Sequence, residues 1–235
     1  MNRKATAAAG VSVLLAPILI AVGDQFRMLA TASEEAGNLQ EWGVEQAMAD
    51  FLAIDAHRGA YETASWIFYA AAVMTIPALL VVWRLAVHRS PRWAWAGVAL
   101  GVCSVAGQFV HLMGHFGANQ VFSAQEDLEG AAQLLVDWEG NVFSMAVFAP
   151  YLIGLLFAPM VQAIALKRAR VIPWWALVAV VVGSVLFAVL GSTPVVSTIW
   201  AVLLVAGFAP AAALAIRGRN EEAEPARVEQ SMQVV

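Results

Sequence analysis

The sequence predicts an all-α polytopic membrane protein, a bundle of six transmembrane helices. Its 235 residues are 61% hydrophobic and 13% charged, with a mean hydropathy of +0.72, whereas a soluble domain carries about a quarter charged residues. Six apolar stretches without Asp, Glu, Lys or Arg have about the length that a membrane-spanning helix needs. Backbone groups in lipid must bond internally, which favours helices at these lengths. The stretches are residues 5–22, 64–83, 93–116, 142–166, 174–190 and 195–216.

The basic residues predict the orientation of this bundle. Of the 13 Lys and Arg residues, 11 lie before span 1, between spans 2 and 3, between spans 4 and 5, or after span 6. The positive-inside rule therefore predicts a multi-pass protein of the cell (plasma) membrane with both termini in the cytoplasm. The two longer loops on the other side are acidic, which is typical of a solvated exported surface.

Helical patterns continue into both of these outer loops. Apolar residues in 44–55 recur on one face, which predicts an amphipathic helix whose face holds Val44, Ala47, Met48, Phe51 and Asp55. In the second loop, Ser123 and Glu126 have the spacing of a capping box before a helical pattern that starts at Leu128. We expect residues 1–216 to form the transmembrane domain and the polar residues 217–235 to be a disordered cytoplasmic tail.

The start of the chain allows two interpretations. A short basic segment, an apolar core and the small residues Ala21-Val22-Gly23 also resemble a secretory signal with its cleavage site. Removing span 1 would leave the charge bias of the other loops unchanged, so the sequence predicts either an uncleaved first span or a cleaved signal.

A gapless repeat relates spans 2–3 to spans 4–5. At an offset of 82 residues, nine identities fall within residues 64–106, among them Tyr69 with Tyr151 and Pro77 with Pro159. Duplicated hairpins of one orientation occur in transporters. Convergence on residues compatible with lipid explains the same identities, and both explanations stay open.

One constellation of polar residues lies inside the predicted membrane. Gln108, His111 and His115 fall on one stripe of span 3 at 100° per residue, and polar side chains in spans usually face the bundle interior. If the polar faces of spans 2 and 4 converge on this stripe, they form a ligand pocket near the outer end. Its predicted lining is Glu62, Ser65, Tyr69, Gln108, His111, His115, Asn141, Ser144 and Tyr151.

The two histidines of this stripe also suggest a metal site. His111 and His115 are one helical turn apart, a spacing that can hold one ion, and His57 or Glu62 could supply a third ligand to zinc. The carboxylate that follows the first His in zincin proteases is absent, because residue 112 is Leu. The alternatives are hydrogen-bonded interior histidines and proton-linked chemistry.

These features narrow the classes of function. A net charge of −4 and the lack of a broad basic patch exclude a nucleic-acid binder, and a single cysteine, Cys103, excludes an internal disulfide. The hypothesis we favour is non-enzymatic: binding or transport of a small ligand or proton through the pocket, with the lipid bilayer and a small molecule as partners. The alternatives are a metal-dependent membrane enzyme acting on a lipid or exported substrate, and a structural or regulatory subunit.

Two stretches of sequence resemble a known family. Residues 5–24 follow the pattern AxxxxGVxxLLAPILxxxGD, and residues 56–62 read AHRGAYE after an acidic outer loop. The chain thereby resembles a family of small six-span integral membrane proteins, common in actinobacteria, whose domain has no known function. The resemblance implies a fold and a membrane, and it assigns no activity and no functional residue.

Overall fold

The computed structural model describes residues 3–31 and 43–218, and these residues form helices joined by short turns. No strand occurs in these two ranges. A π-helical segment follows α4 directly and leads into α5, so helix is continuous from Pro91 to Phe122. The bounds are α1 Arg3–Thr31, α2 Val44–Ala56, α3 Arg58–Ala86, α4 Pro91–His111, the π segment Leu112–Gly117, α5 Ala118–Phe122, α6 Leu128–Glu139, α7 Val142–Arg168, α8 Trp174–Leu190 and α9 Pro194–Arg217.

Five of the helical segments are long and apolar enough to cross a membrane. They are α1, α3, the run from α4 to α5, α7 and α9. The all-α bundle and its membrane character are therefore confirmed. The sixth predicted span coincides with α8, which is apolar but has only 17 residues, so the number of six spans stays a prediction.

Helix α1 is the central element of one half of the bundle, where it packs against α3 and α9. It runs without a break through residues 21–23, the suggested cleavage site, and Gly23 lies against the ring of Phe68. In the other half, α4 packs along α7, while α8 joins α7 to α9. Most of the predicted tail, residues 219–235, lies outside the described residues.

Glycines allow α4 and α7 to approach closely, as small residues do between membrane helices. A Cβ at Gly154 would meet the backbone of Leu100 and Ser104, and one at Gly107 would meet Tyr151. The close approach fixes the position of Tyr151 relative to α4.

The two predicted loop helices are present as α2 and α6, and they pack on each other at one end of the bundle. Phe51 of α2 is fully buried in a cluster with Leu135 of α6. We call this the loop-helix end. Asp55, predicted on the buried face of α2, is exposed instead and pairs with Arg58, while Ile54 is buried.

The predicted capping box of α6 is wrong. Asp127 is the N-cap, and its Oδ1 accepts a hydrogen bond from the backbone N–H of Gly130 at 2.9 Å. Ser123 belongs to the end of α5, because its N–H bonds to the carbonyl of Asn119 and its Oγ to that of Gln120. The helix therefore begins only at Leu128.

Candidate functional site

A cavity of about 280 Å³ lies near the loop-helix end, between α1 on one side and α4, the π segment and α7 on the other. We call it the polar cavity. The two sides do not pack directly on each other there, and the space between them remains open. Its polar lining residues are Asp24, Arg27, Gln108, His111, His115, Tyr151 and Ser192, and its aromatic lining residues are Phe68, Phe116, Phe148 and Phe187.

The structure brings together four of the nine residues predicted to line a pocket. Gln108, His111 and His115 all face this cavity, and Tyr151 faces them from α7. Gln108 is buried, and its side-chain amide lies 3.5 Å from the carbonyl oxygen of Phe68, at the limit of a hydrogen bond.

The three predicted residues of α3 are placed elsewhere. Tyr69 is 48% exposed and packs edge-on against Trp66 and Phe109. Ser65 donates a hydrogen bond to the carbonyl of Tyr61 one turn earlier, at 2.9 Å, and Glu62 is exposed. Helix α3 turns its small and aromatic face inward instead, with Ala64 and Phe68 buried.

The two predicted residues at the start of α7 also lie away from the cavity lining. Asn141 caps α7, because its Oδ1 accepts the backbone N–H of Phe143 at 2.8 Å. Ser144 is half-buried one turn further on and does not line the cavity. A polar residue just before a helix is used by the helix itself, which the sequence pattern alone could not distinguish from a ligand contact.

His111 is held by ring contacts rather than by hydrogen bonds. Its imidazole stacks on that of His115, with centroids 4.9 Å apart and an interplanar angle of 14°, and on the ring of Tyr151 at 5.5 Å and 22°. None of the described residues hydrogen-bonds to its ring nitrogens. An imidazole whose nitrogens have no protein partner can donate one hydrogen bond and accept another from a molecule in the cavity.

His115, in contrast, belongs to a hydrogen-bonded chain. Its Nδ1 lies 2.9 Å from Oε1 of Glu139, and its Nε2 lies 3.3 Å from the amide nitrogen of Asn119. The amide nitrogen of Asn119 also donates a hydrogen bond to the hydroxyl of Tyr61 at 3.0 Å. Both ring nitrogens of His115 are therefore held by protein groups, Nδ1 by Glu139 and Nε2 by Asn119.

The third polar group lies near the end of α1, where Asp24 and Arg27 form an ion pair and Ser192 and Ser197 bond to the carboxylate. We call this group the corner. The carboxylate of Asp24 is 4% exposed and accepts hydrogen bonds from Arg27 at 3.1 Å, from Ser192 at 2.7 Å and from Ser197. Arg27 also donates to the hydroxyl of Ser192 at 3.1 Å. The carboxylate charge is thus compensated within the corner, as a buried charge requires. The sequence analysis did not predict Arg27 or Ser192 as part of the site.

Asp50 of α2 lies near this region, outside the spanning helices. Burial is the main influence on it and raises the pKa of its carboxyl above the usual 3.8, while a hydrogen bond from Gln46 and the charge of His115 oppose the shift. Its ionised form is therefore disfavoured in the folded protein.

The predicted zinc site of His111, His115 and His57 gains no support. Within residues 3–31 and 43–218, no three His, Cys, Asp or Glu side chains are grouped so that they could hold a metal ion. His57 is exposed, its Nδ1 lies 3.1 Å from the carbonyl of Ala53, and it does not line the polar cavity. Both ring nitrogens of His115 already have protein partners.

Comparison with known proteins found no matching family model, no similar curated protein and no similar solved structure.

Proposed function

We propose that this membrane protein binds a small, uncharged, ring-sized molecule in the polar cavity. The observation that carries the proposal is the free imidazole of His111, stacked between His115 and Tyr151 in a cavity of about 280 Å³. An engineered cavity of about 150 Å³ is enough to bind benzene. The polar cavity has room for a ring that also carries a hydroxyl or carbonyl oxygen.

The hydrogen bonds around the cavity favour an uncharged ligand. Asp24 is already paired with Arg27, and His115 with Glu139, so the lining offers no charge that lacks a partner of opposite sign or a hydrogen bond. Gln108 and His111 remain to exchange hydrogen bonds with a ligand oxygen. A buried polar site of this kind selects by hydrogen bonding, because an unpaired polar group there costs about 1–3 kcal/mol.

The test uses phenol as the probe and the four histidines as reporters. In protein with ¹⁵N-labelled imidazoles, reconstituted in lipid nanodiscs, phenol is expected to shift the ring-nitrogen NMR signals of His111 saturably. His88, exposed in the turn after α3 at the far end of the bundle, is the internal control. Shifts that are equal at His88 and His111, or no shift at His111, would refute the proposal.

A pair of variants completes that test. His111→Ala is expected to abolish saturable phenol binding, measured by equilibrium dialysis of the nanodiscs. His88→Ala is expected to leave it unchanged. Unaltered binding to the His111→Ala variant would place the ligand elsewhere.

We also propose that the protein lies in the plasma membrane with both termini in the cytoplasm, as the distribution of Lys and Arg favours. In a Cys103→Ala background, single cysteines at 88 and 133 report the two sides, because His88 and Gln133 are both exposed at opposite ends of the bundle. An impermeant maleimide applied to intact spheroplasts is expected to label the cysteine at 133 only. If only the cysteine at 88 is labelled, the proposed orientation is wrong and both termini lie outside the cytoplasm.

A further inference from the structure

A second cavity, of about 100 Å³, lies next to the polar cavity, toward the middle of the bundle. The two share three lining residues, Ile20 of α1, Gln108 of α4 and Leu155 of α7. We call the second one the apolar cavity. The two cavities are therefore adjacent, and a molecule that occupied both would pass these three side chains.

The apolar cavity offers little to a polar group. Its walls are formed largely by aliphatic and aromatic side chains such as Leu79, Ala158 and Phe208. Two of its polar side chains already have backbone partners. Thr75 donates to the carbonyl of Ala71 at 2.8 Å, and Gln162 to that of Gly97 at 3.3 Å. An empty apolar cavity is stabilised by filling it with apolar atoms, since its walls otherwise lack dispersion contacts.

The polar cavity has the complementary character. Phe148, Tyr151 and Phe187 present rings to it, and His111 presents a free hydrogen-bonding edge. Such walls suit a flat head with an oxygen substituent, because aromatic faces stack and the imidazole bonds at the ring plane.

One wall of the polar cavity lies at the lateral surface of the bundle. Leu152 of α7 lines the polar cavity and is 41% exposed, and the neighbouring Phe148 is half-buried. In a bilayer this side of α7 faces acyl chains. A ligand dissolved in the membrane therefore lies next to this wall of the site.

We propose that the two cavities together bind one amphipathic lipid-like molecule, with an uncharged flat head in the polar cavity and a single apolar chain in the apolar cavity. This inference rests on the proposed function, which it sharpens from a ring-sized ligand to a tailed one. The juxtaposition that carries it is the contact of the two cavities at Gln108, with a hydrogen-bonding aromatic space on one side and an apolar space on the other.

The test compares phenol with 4-heptylphenol in nanodiscs, again with the His111 ring nitrogens as the reporter. Ala158→Phe fills the apolar cavity from α7, where Ala158 is buried. We expect it to weaken 4-heptylphenol binding at least tenfold and to leave phenol binding within twofold. Because each ligand is compared with itself in the same membrane, its partition into lipid cancels.

Two further variants keep the result interpretable. Ala146→Phe adds the same ring on the exposed side of α7 and should change neither affinity. Ala158→Leu is a smaller plug, expected to give an intermediate loss if the phenylalanine variant does not fold. Equal affinities of 4-heptylphenol for the original protein and both Ala158 variants would overturn the tailed ligand while leaving phenol binding intact. Failure of phenol and 4-heptylphenol alike to shift His111 would instead overturn the proposed function, and the tailed ligand with it.

Discussion

Asp24 and Ser197 are 173 residues apart in sequence, yet the Ser197 hydroxyl donates a hydrogen bond to the Asp24 carboxylate at the border of the polar cavity. Ser197 is fully buried near the start of α9, and Asp24 is 4% exposed near the end of α1. The bond ties the two helices together where α1 faces the cavity. The carboxylate is thus both a structural link and part of the cavity lining.

We expect Asp24→Asn to destabilise the protein by about 3 kcal/mol, because it leaves the Arg27 guanidinium without its anion and removes a charged acceptor from two serines. The measurement is unfolding in mixed micelles, followed by tryptophan fluorescence. The loss should appear without any change in the net helical content of the folded state.

Asp55→Asn is the matched control for that variant. Asp55 and Arg58 are also three residues apart and lie 2.9 Å from each other, but their side chains are 60% and 39% exposed. An exposed pair of this kind contributes less than about 1 kcal/mol. Equal losses in the two variants would contradict the role assigned to burial.

The raised pKa of Asp50 predicts a dependence of stability on pH. A carboxyl whose pKa is higher in the folded than in the unfolded state is most favourable to folding below its unfolded value, and that contribution is lost as the pH rises through the folded value. Asp50→Asn is therefore expected to raise the melting temperature at pH 7. The gain should shrink as the pH falls toward 4.

Asp137→Asn isolates burial as the cause of that effect. Asp50 accepts a hydrogen bond from Gln46 at 3.3 Å, and Asp137 accepts one from Gln133 at 2.8 Å, each four residues earlier on its helix. Asp137 is exposed, so its substitution should not stabilise the protein at pH 7. A similar gain in both variants would point to the net acidity of the loops instead.

The pair of His115 and Glu139 joins the π segment to α6, and we expect it to be coupled energetically. Their side chains are 27% and 26% exposed and 2.9 Å apart. A double-mutant cycle with His115→Ala and Glu139→Gln should give an interaction free energy of about 0.5–1.5 kcal/mol. The exposed pair Gln133 and Asp137 should give at most about 0.5 kcal/mol in the same assay. A coupling free energy no larger than that of this control would mean that the contact of His115 with Glu139 does not link α6 to the site.

Periodicity predicted one side of the site and missed the other. Gln108, His111 and His115 share a stripe at helical spacing, and a polar stripe in an apolar span has few places to go except inward. The sequence did not determine which face of α3 points toward the cavity. Ser65 satisfies its hydroxyl on the carbonyl of Tyr61, so nothing in its chemistry requires the cavity.

The sequence analysis missed two residues of the site, Arg27 and Ser192, for different reasons. Arg27 follows Asp24 by three residues, a local pairing signal that the sequence does contain. Ser192 offers none, because its partners Asp24 and Arg27 are 168 and 165 residues away. The internal repeat did not help either, since Tyr151 lines the cavity and its repeat partner Tyr69 is exposed.

The close approach of α4 and α7 gives the last prediction. A methyl group at Gly107 would overlap the backbone and Cβ of Tyr151, which no side-chain rotation can relieve. Gly107→Ala should therefore push α7 away and cost about 1–3 kcal/mol, as overpacking does. It should also weaken phenol binding, because Tyr151 lines the polar cavity.

In contrast, Gly59 is exposed in the first turn of α3 with open space around it, so Gly59→Ala should be neutral or stabilise the helix by up to about 1 kcal/mol. If Gly107→Ala unfolds at the same denaturant concentration as Gly59→Ala and binds phenol normally, the helix contact does not determine the shape of the cavity.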